Sequence, residues 1–240
     1  MDTRRMISRK STWLAVLIGI LCLAAGTSFP KMREGLQPGA WHTIVENALN
    51  SKIIFMSIPL IAVLPMGDLW IKERESGFLG FYIARKGKRD YVADRVITTC
   101  YSGVFIWIMA VSIIMLIYFL IFYPLEFKQS LKVKDFANMF WILVRIFLTS
   151  GILANLSGAA GILFRSVYMA YGLPFVAYYL MVILQERYLK DIYVINPQAW
   201  ILGTGDWGIY QLGLWIFLLL LLLLTSLIHG GLLYGTCKEL

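Results

Sequence analysis

Six long stretches without a charged residue divide this chain of 240 residues. They are residues 11–30, 53–67, 96–125, 146–164, 166–185 and 207–237. All 36 charged side chains, 22 basic and 14 acidic, lie outside these stretches. An α-helix of about 20 apolar residues crosses the roughly 30 Å hydrocarbon core of a bilayer. The pattern therefore predicts apolar rods joined by polar connectors, and it argues against a soluble enzyme.

The stretches are predicted to be helices. Backbone in lipid must satisfy its own hydrogen bonds, and the sequence lacks the ten-residue alternation of membrane β-barrels. We predict an all-α polytopic membrane protein with six transmembrane helices in one domain. The predicted helices cover residues 11–30, 53–71, 96–125, 138–164, 166–185 and 207–237. The first is interpreted as an uncleaved signal anchor, and the expected location is the bacterial cytoplasmic membrane.

The basic residues predict an orientation, because Lys and Arg gather in cytoplasmic connectors. With the N-terminus inside, 13 basic residues lie in the cytoplasmic connectors and tail and 8 in the outer connectors. Both termini are therefore predicted to be cytoplasmic, with residues 72–95 forming a cytoplasmic segment. The outer segment contains YVINPQAWIL, which Asn196-Pro197 interrupts. It predicts two short interfacial or re-entrant helices between the fifth and sixth spans.

The cytoplasmic segment reads KERESGFLGFYIARKGKRDYVADR. Phe78, Leu79, Tyr82 and Ile83 share one face of a short helix that charged residues bracket. A helix of this kind can lie in the membrane interface, or it can dock into a groove on a soluble partner. The residues alone favour neither alternative.

Asp68 closes the predicted second helix, and ERESG, an aromatic-rich helix and a basic cluster follow. Tyr91 comes next, and Arg95 opens the predicted third helix. The order of these features resembles the ABC type-2 transporter permeases, in which a Lys is common at the position of Arg95. The resemblance runs from the first helix to the last and includes the Asn196-Pro197 region.

The resemblance implies a permease that pairs with a second permease chain, identical or homologous, and binds cytoplasmic ABC ATPase subunits through a coupling helix. The implied contact residues are Glu73, Glu75, Gly77, Phe78, Leu79, Tyr82, Arg85 and Arg89. Phe78, Leu79 and Tyr82 would fill a groove on the ATPase, and Glu73 and Arg85 would orient the contact. The chain has no GxxxxGK[ST] motif, so ATP and Mg are expected in the partner. No metal, cofactor or enzyme activity is expected in this chain.

Five polar residues at helix ends or inside helices are candidates for a pathway: Asp68, Arg145, Asn155, Tyr171 and Tyr178. A charge within a membrane is a functional hypothesis by default. Asp68 can pair with Lys72 or Arg74 at the interface. Arg145 can extend to the outer headgroups or contact substrate. Asn155 lies among small residues that suit close helix packing. The two tyrosines can line a route for an amphipathic substrate or belong to the aromatic belt.

Two other classes of function compete with transport. Residues 203–206 spell GTGD, the GxGD signature of membrane aspartyl proteases, in which two aspartates share a proton. The other candidate, Asp68, lies at the opposite membrane face in the predicted topology, so Asp206 is interpreted as a turn or helix cap. The second alternative is a membrane anchor that recruits a soluble protein without transporting anything.

Within the transport class, the resemblance points to export. Small permeases of this kind resemble those that export amphipathic antimicrobial peptides or give immunity to them. Lipids, drugs and glycans are the other substrates that we consider. The excess of basic residues suits cytoplasmic connectors near anionic lipid, so nucleic acid is not expected as a partner.

Overall fold

The structure is a computed structural model that describes residues 3–27, 40–125 and 133–237. Within these ranges the chain is almost entirely helical and contains no strand. The α-helices are α1 (Thr3–Ser8), α2 (Lys10–Ala25), α3 (Ala40–Leu49), α4 (Lys52–Val63), α5 (Leu69–Glu75), α6 (Phe78–Lys86), α7 (Lys88–Phe122), α8 (Val133–Phe164), α9 (Val167–Arg187), α10 (Pro197–Leu202) and α11 (Leu212–Thr236). Residues 28–30 of the first predicted helix lie outside the described residues.

Four helices are long and apolar enough to cross a bilayer. They are Lys88–Phe122, Phe136–Phe164, Val167–Arg187 and Ile209–Thr236. The α3 and α4 helices form a pair bent by 68° that counts as a fifth span if the two are taken together. The α2 helix is apolar but has 16 residues, fewer than a typical span. These helices confirm the prediction of an all-α, multi-pass membrane protein. The described residues contain four or five candidate spans, whereas six were predicted.

The second predicted helix, 53–71, is broken in two. Pro65 follows α4 closely, and proline can neither donate a backbone hydrogen bond nor fit against the preceding helical turn. The turn also packs tightly against α8. A Cβ on Gly67 would overlap the Ser157 hydroxyl and lie 2.8 Å from the Val63 carbonyl oxygen. This turn brings the next residue, Asp68, to the start of α5.

Two helices begin earlier in the sequence than predicted. The α7 helix starts at Lys88 rather than at residue 96, so Lys88, Arg89 and Arg95 lie on its first turns. Gly87, with φ of 83°, separates it from α6, and glycine adopts this conformation without steric cost. The α8 helix starts at Val133 rather than at residue 138, which places Arg145 well inside the helix.

The α8 helix is the central element and packs against α4, α7, α9 and α11. Glycines let it approach α7 closely. A Cβ on Gly103 would lie 2.9 Å from the Ser150 carbonyl oxygen, and one on Gly151 would lie 2.8 Å from the Cys100 sulfur. Small residues at such contacts are typical of helix packing in membranes. The predicted close packing of this helix is confirmed.

The segment between α9 and α11 contains the predicted pair of short helical pieces. A 3₁₀ turn, Tyr193–Ile195, precedes α10. Asn196 caps α10 by accepting a hydrogen bond from the Gln198 amide at 2.9 Å, and Pro197 occupies the first helical position. The α10 helix packs on α8 and α9 and buries Ile201.

Candidate functional site

Two buried carboxylates lie where α1, α5 and α7 meet. Asp68 and Glu73 are 4% and 5% exposed, respectively. Four basic side chains and a tyrosine surround them. We call this set the carboxylate network, and its members are Arg5, Arg9, Asp68, Lys72, Glu73, Tyr91 and Arg95. Buried carboxylates need partners, and here the partners come from different helices. The network therefore holds these helices together.

Glu73 is the centre of the network. The Arg5 Nη1 donates to its Oε1 at 2.8 Å, and the buried Arg95 guanidinium donates to the same oxygen. The Tyr91 hydroxyl donates to Oε2 at 3.0 Å. Hydrogen bonds between charged groups are stronger than neutral ones, and here they join three elements that are distant in sequence. Glu73 thus links α1, α5 and α7.

Asp68 binds Arg9, the residue that lies between α1 and α2. The Arg9 Nη1 lies 3.0 Å from its Oδ1 and also donates to the Pro65 carbonyl at 2.7 Å. Lys72 pairs with Asp68 one helical turn away, and Tyr171 of α9 lies beside the neighbouring Gly67. The pairing with Lys72 was expected from the sequence, whereas that with Arg9 was not.

Tyr82 connects α6 to the carboxylate network. Its ring packs edge-on against Tyr91 with the centroids 5.7 Å apart. The Arg95 guanidinium carbon lies 5.0 Å from the Tyr82 centroid, and that of Arg5 lies 6.0 Å from it. Cations over aromatic faces are attracted to them, so these contacts fix α6 against the helix bundle. On the same side of α6, Leu79 is 3% exposed and packs in its own chain's core.

The opposite side of α6 is exposed and apolar. Phe78 is 54% exposed and Phe81 is 77% exposed. Together with Tyr82, Arg85 and Lys86 they line an open groove of about 300 Å³. Large exposed aromatic side chains that lie side by side mark interaction surfaces. We call this surface the α6 groove.

The coupling residues implied by the sequence divide between these two sides. Phe78, Tyr82 and Arg85 line the α6 groove, and Glu75, Gly77 and Arg89 are also exposed. Leu79 and Glu73 point into the protein itself, which differs from the expected contacts with a partner. Phe81, rather than Leu79, lines the α6 groove beside Phe78. Its spacing of three residues from Phe78 was the signal in the sequence that identifies it.

The pathway candidates do not converge on one channel. Asn155 is fully buried and joins α8 to α11, because its amide bonds His229 at 3.1 Å and Ser226 at 3.0 Å. Tyr178 is buried beside Tyr179 in the apolar core. Asp68 and Tyr171 belong to the network region. Arg145 lies on α8 about 15 Å from Asn155, taking 1.5 Å per residue.

Two cavities lie near the network. A small one of about 10 Å³ is bounded by Trp70, Arg95, Thr99 and His229 and has room for about one water molecule. A larger lateral groove of about 330 Å³ opens between α4 and α9. It is lined by Leu60, Val63, Leu64, Tyr168, Tyr171, Gly172 and Phe175, so it is mostly apolar.

The two aspartates of the protease hypothesis lie far apart. Asp206 is exposed, and its Oδ1 accepts a hydrogen bond from the Gly208 amide at 3.2 Å, as expected for a turn residue. It belongs to the loop that contacts Arg145, whereas Gly67 beside Asp68 contacts Gly161. These contacts on α8 are about 24 Å apart. In the part of the chain that the structure describes, no group of His, Cys, Asp and Glu is arranged to hold a metal.

No family model, curated protein or solved structure matches this chain. The resemblance to ABC type-2 permeases is therefore an interpretation of the sequence, to be weighed against the geometry of the α6 groove and the carboxylate network.

Proposed function

We propose that this chain is the permease subunit of an ATP-driven ABC exporter in a bacterial cytoplasmic membrane. It works as a dimer of permease chains, identical or homologous, with separate ATPase subunits on the cytoplasmic side that carry ATP and Mg. The multi-pass helical architecture supports a membrane subunit of this kind. The sequence contains no nucleotide-binding loop of its own.

The observation that carries the proposal is the α6 groove. It presents exposed Phe78 and Phe81 beside Arg85 and Lys86, on a helix outside the long apolar spans. Aromatic and Arg side chains contribute much of the binding energy at protein interfaces. A soluble ATPase with an apolar cleft and acidic residues at its rim would fit this surface.

The carboxylate network supplies a route from the groove into the membrane helices. A displacement of α6 acts on α7 through Tyr82 and Arg95, and on α5 through Glu73. The α5 helix is joined to α4 by one tight turn. Charged contacts at both helices transmit movement as a rigid body rather than through a flexible linker. ATPase closure would therefore be converted into movement of α4 and α7.

An amphipathic peptide is the substrate that we propose. The lateral groove between α4 and α9 combines apolar side chains with the hydroxyls of Tyr168 and Tyr171. Such a surface suits a ligand with one apolar and one polar side. One end of the groove lies near the network, since Tyr171 packs beside Gly67, the residue before Asp68.

The docking step is tested with the stand-alone Walker A ATPase that we expect to be encoded beside this chain. The two proteins are co-expressed, and the ATPase recovered with the tagged permease is quantified. Phe78→Ala with Phe81→Ala should lower recovery at least tenfold, because both side chains are exposed and removable without loss of core packing. Ile209→Ala with Leu212→Ala, an exposed apolar pair at the start of the last span, should leave it unchanged. Equal recovery with both double variants would count against the proposed dock.

The transport step is tested in nanodiscs that contain both proteins. Amphipathic peptides should stimulate ATP hydrolysis, whereas the double variant in the α6 groove should show no stimulation. Stimulation by a glycolipid alone would exclude the peptide. An ATPase that binds this chain but responds to no candidate substrate would favour the membrane-anchor function instead.

A further inference from the structure

Arg145 is a buried cation in the interior of α8, far from the carboxylate network. It is 8% exposed. Ile162, which lies 17 residues further along α8, packs with Trp70 and Tyr91 at the network end. At 1.5 Å per residue this puts Arg145 about 25 Å away, at the end of the bundle that carries α10.

Within the described residues, no carboxylate pairs with Arg145. A guanidinium has five N–H donors, and with the described residues this group makes one hydrogen bond, from Nη1 to the Ile201 carbonyl at 3.1 Å. Its carbon lies 5.9 Å from the centroid of the Trp215 ring. Nε is buried and has no partner in the part of the chain that the structure describes. A cation is costly to bury unless an anion or several acceptors compensate for the lost water.

The loop after α10 is shaped around this guanidinium. Gly203 has φ of 66°, and a Cβ there would overlap Arg145. Tyr210 and Gln211 have φ of 54° and 57°, a conformation that residues other than glycine rarely adopt. The side-chain Nε2 of Gln211 donates to the Gly203 carbonyl at 3.1 Å. Strained backbone of this kind is found at ligand sites, and here Gly203 of this loop lies directly against the guanidinium.

The site borders the lipid-facing surface. Trp141 lies one helical turn before Arg145 on α8 and is 47% exposed. Its ring is 5.1 Å from that of Trp215, which also contacts the guanidinium. Tryptophan pairs at the surface of a membrane helix mark the level of the headgroups. An anion held by Arg145 would therefore come from the layer in which lipid phosphates lie.

We propose that Arg145 binds the phosphate of a phospholipid headgroup in a site formed by α8, α10 and α11. The guanidinium binds phosphate oxygens in a planar, bidentate geometry. Trp141 and Trp215 pack beside the glycerol and the first methylenes of the same lipid. Basic pockets between membrane helices bind acidic headgroups in this way. The site does not depend on the proposed transport function.

The test is the amount of phospholipid that the purified chain retains. Full-length protein is extracted from phospholipid membranes in dodecyl maltoside, washed with detergent and analysed by native mass spectrometry and total phosphorus. Wild type should retain one more phospholipid per chain than Arg145→Met. Lys190→Met, which removes an exposed cation at the same end, should match wild type. Arg145→Lys keeps the charge but loses the planar fork and should be intermediate.

A second arm separates the two sources of phosphate. Inorganic phosphate in large excess is added to washed wild-type protein, and it should not release the retained lipid. Release would show that the site takes the free ion, and it would overturn the assignment to lipid. Equal lipid retention by wild type and Arg145→Met would overturn the proposal as a whole.

A third measurement needs no variant, in case Arg145→Met does not fold. Wild-type protein is reconstituted with phosphatidylethanolamine that carries a photoreactive group on its headgroup, and cross-linked peptides are mapped after irradiation. The cross-links should fall in residues 141–149 and 203–215. Cross-links confined to other parts of the chain would contradict the proposed site.

Discussion

The helix bundle buries an arginine at each of its two ends, Arg95 of α7 and Arg145 of α8, and the two charges are compensated differently. At the network end, Arg95 is 3% exposed and pairs with Glu73, which also binds Arg5 and Tyr91. At the α10 end, Arg145 is 8% exposed and has one carbonyl and one aromatic ring. The first arginine is paired within the protein and joins its helices. The second retains donors for an anion from outside.

The difference in how the two arginines are compensated suits the two ends to different functions. A cation whose partners are all in the same chain stabilises one arrangement of helices, which suits the transmission of movement. A cation with unused donors in a membrane is suited to a ligand. Four predictions test this comparison, and they are ordered by expected size.

Replacing each arginine by Met should separate the two ends most clearly. Arg95→Met leaves Glu73 buried with part of its compensation lost, and it should lower the free energy of unfolding by about 3–5 kcal/mol. Arg145→Met removes one hydrogen bond but also the cost of burying an unpaired cation, so it should lower the free energy of unfolding by no more than about 1 kcal/mol. Denaturation of both variants in lipid-free detergent measures the difference. Equal losses would mean that Arg145 is as strongly compensated within the chain as Arg95.

Two glycines in the loop after α10 test how closely this loop fits Arg145. Gly203→Ala and Gly208→Ala both place a side chain at positive φ, 66° and 76° respectively. A Cβ at 208 meets nothing within 4 Å, whereas a Cβ at 203 overlaps the guanidinium. We expect about 1 kcal/mol for Gly208→Ala and about 3 kcal/mol for Gly203→Ala in the same unfolding assay. Matching values would show that Arg145 moves away freely.

The middle of α8 should be less sensitive than the network end. Asn155→Ala removes uncharged hydrogen bonds to His229 and Ser226 of α11, at 3.1 Å and 3.0 Å. Uncharged hydrogen bonds between membrane helices contribute about 0.6 kcal/mol each on average. We expect a loss of about 1 kcal/mol, and about half of that for Ser226→Ala, measured by thermal unfolding. A loss as large as that of Arg95→Met would contradict this order.

The smallest effect is expected at the exposed rim of the network end. Lys86 and Asp94 form an ion pair at 3.0 Å, with side chains 39% and 13% exposed. Lys86→Gln should cost no more than about 1 kcal/mol, and the cost should shrink in 1 M salt, because salt screens exposed charges. The unfolding free energy at two salt concentrations provides the measurement. A cost that salt does not change would place this pair with the buried network.

Much of the helical architecture was predictable, and the breaks and ends of helices were less so. Four of the six uncharged stretches coincide with the four long spans, and Asn196-Pro197 identified the short helix α10. The sequence did not predict α3, or that Lys88 and Arg89 belong to α7, because charged residues outside lipid are compatible with helix as well as with loop. The second predicted helix ran to residue 71, whereas α4 ends at Val63.

The sequence predicted several residues of the candidate site but not how they pair. The sequence singled out Asp68, Glu73 and Tyr82 and placed them in one region. It did not pair Glu73 with Arg5, because these residues are 68 positions apart and no local pattern links them. The side of α6 that carries Leu79 was interpreted as a partner surface. In the structure it is the side that packs on the chain's own core.

The sequence by itself determined that this is a helical membrane protein with its charges outside long apolar stretches. Transfer of charge and of unpaired backbone into lipid is very unfavourable. Long uncharged stretches therefore suffice to predict membrane helices with the charges outside them. The tertiary structure decided which buried charge meets a partner and which does not. Arg95 and Arg145 are both single basic residues beside apolar stretches in the sequence, and the fold brings Glu73 to one and a backbone carbonyl to the other. Electrostatic compensation depends on distances of a few ångströms, which only the packing of helices sets.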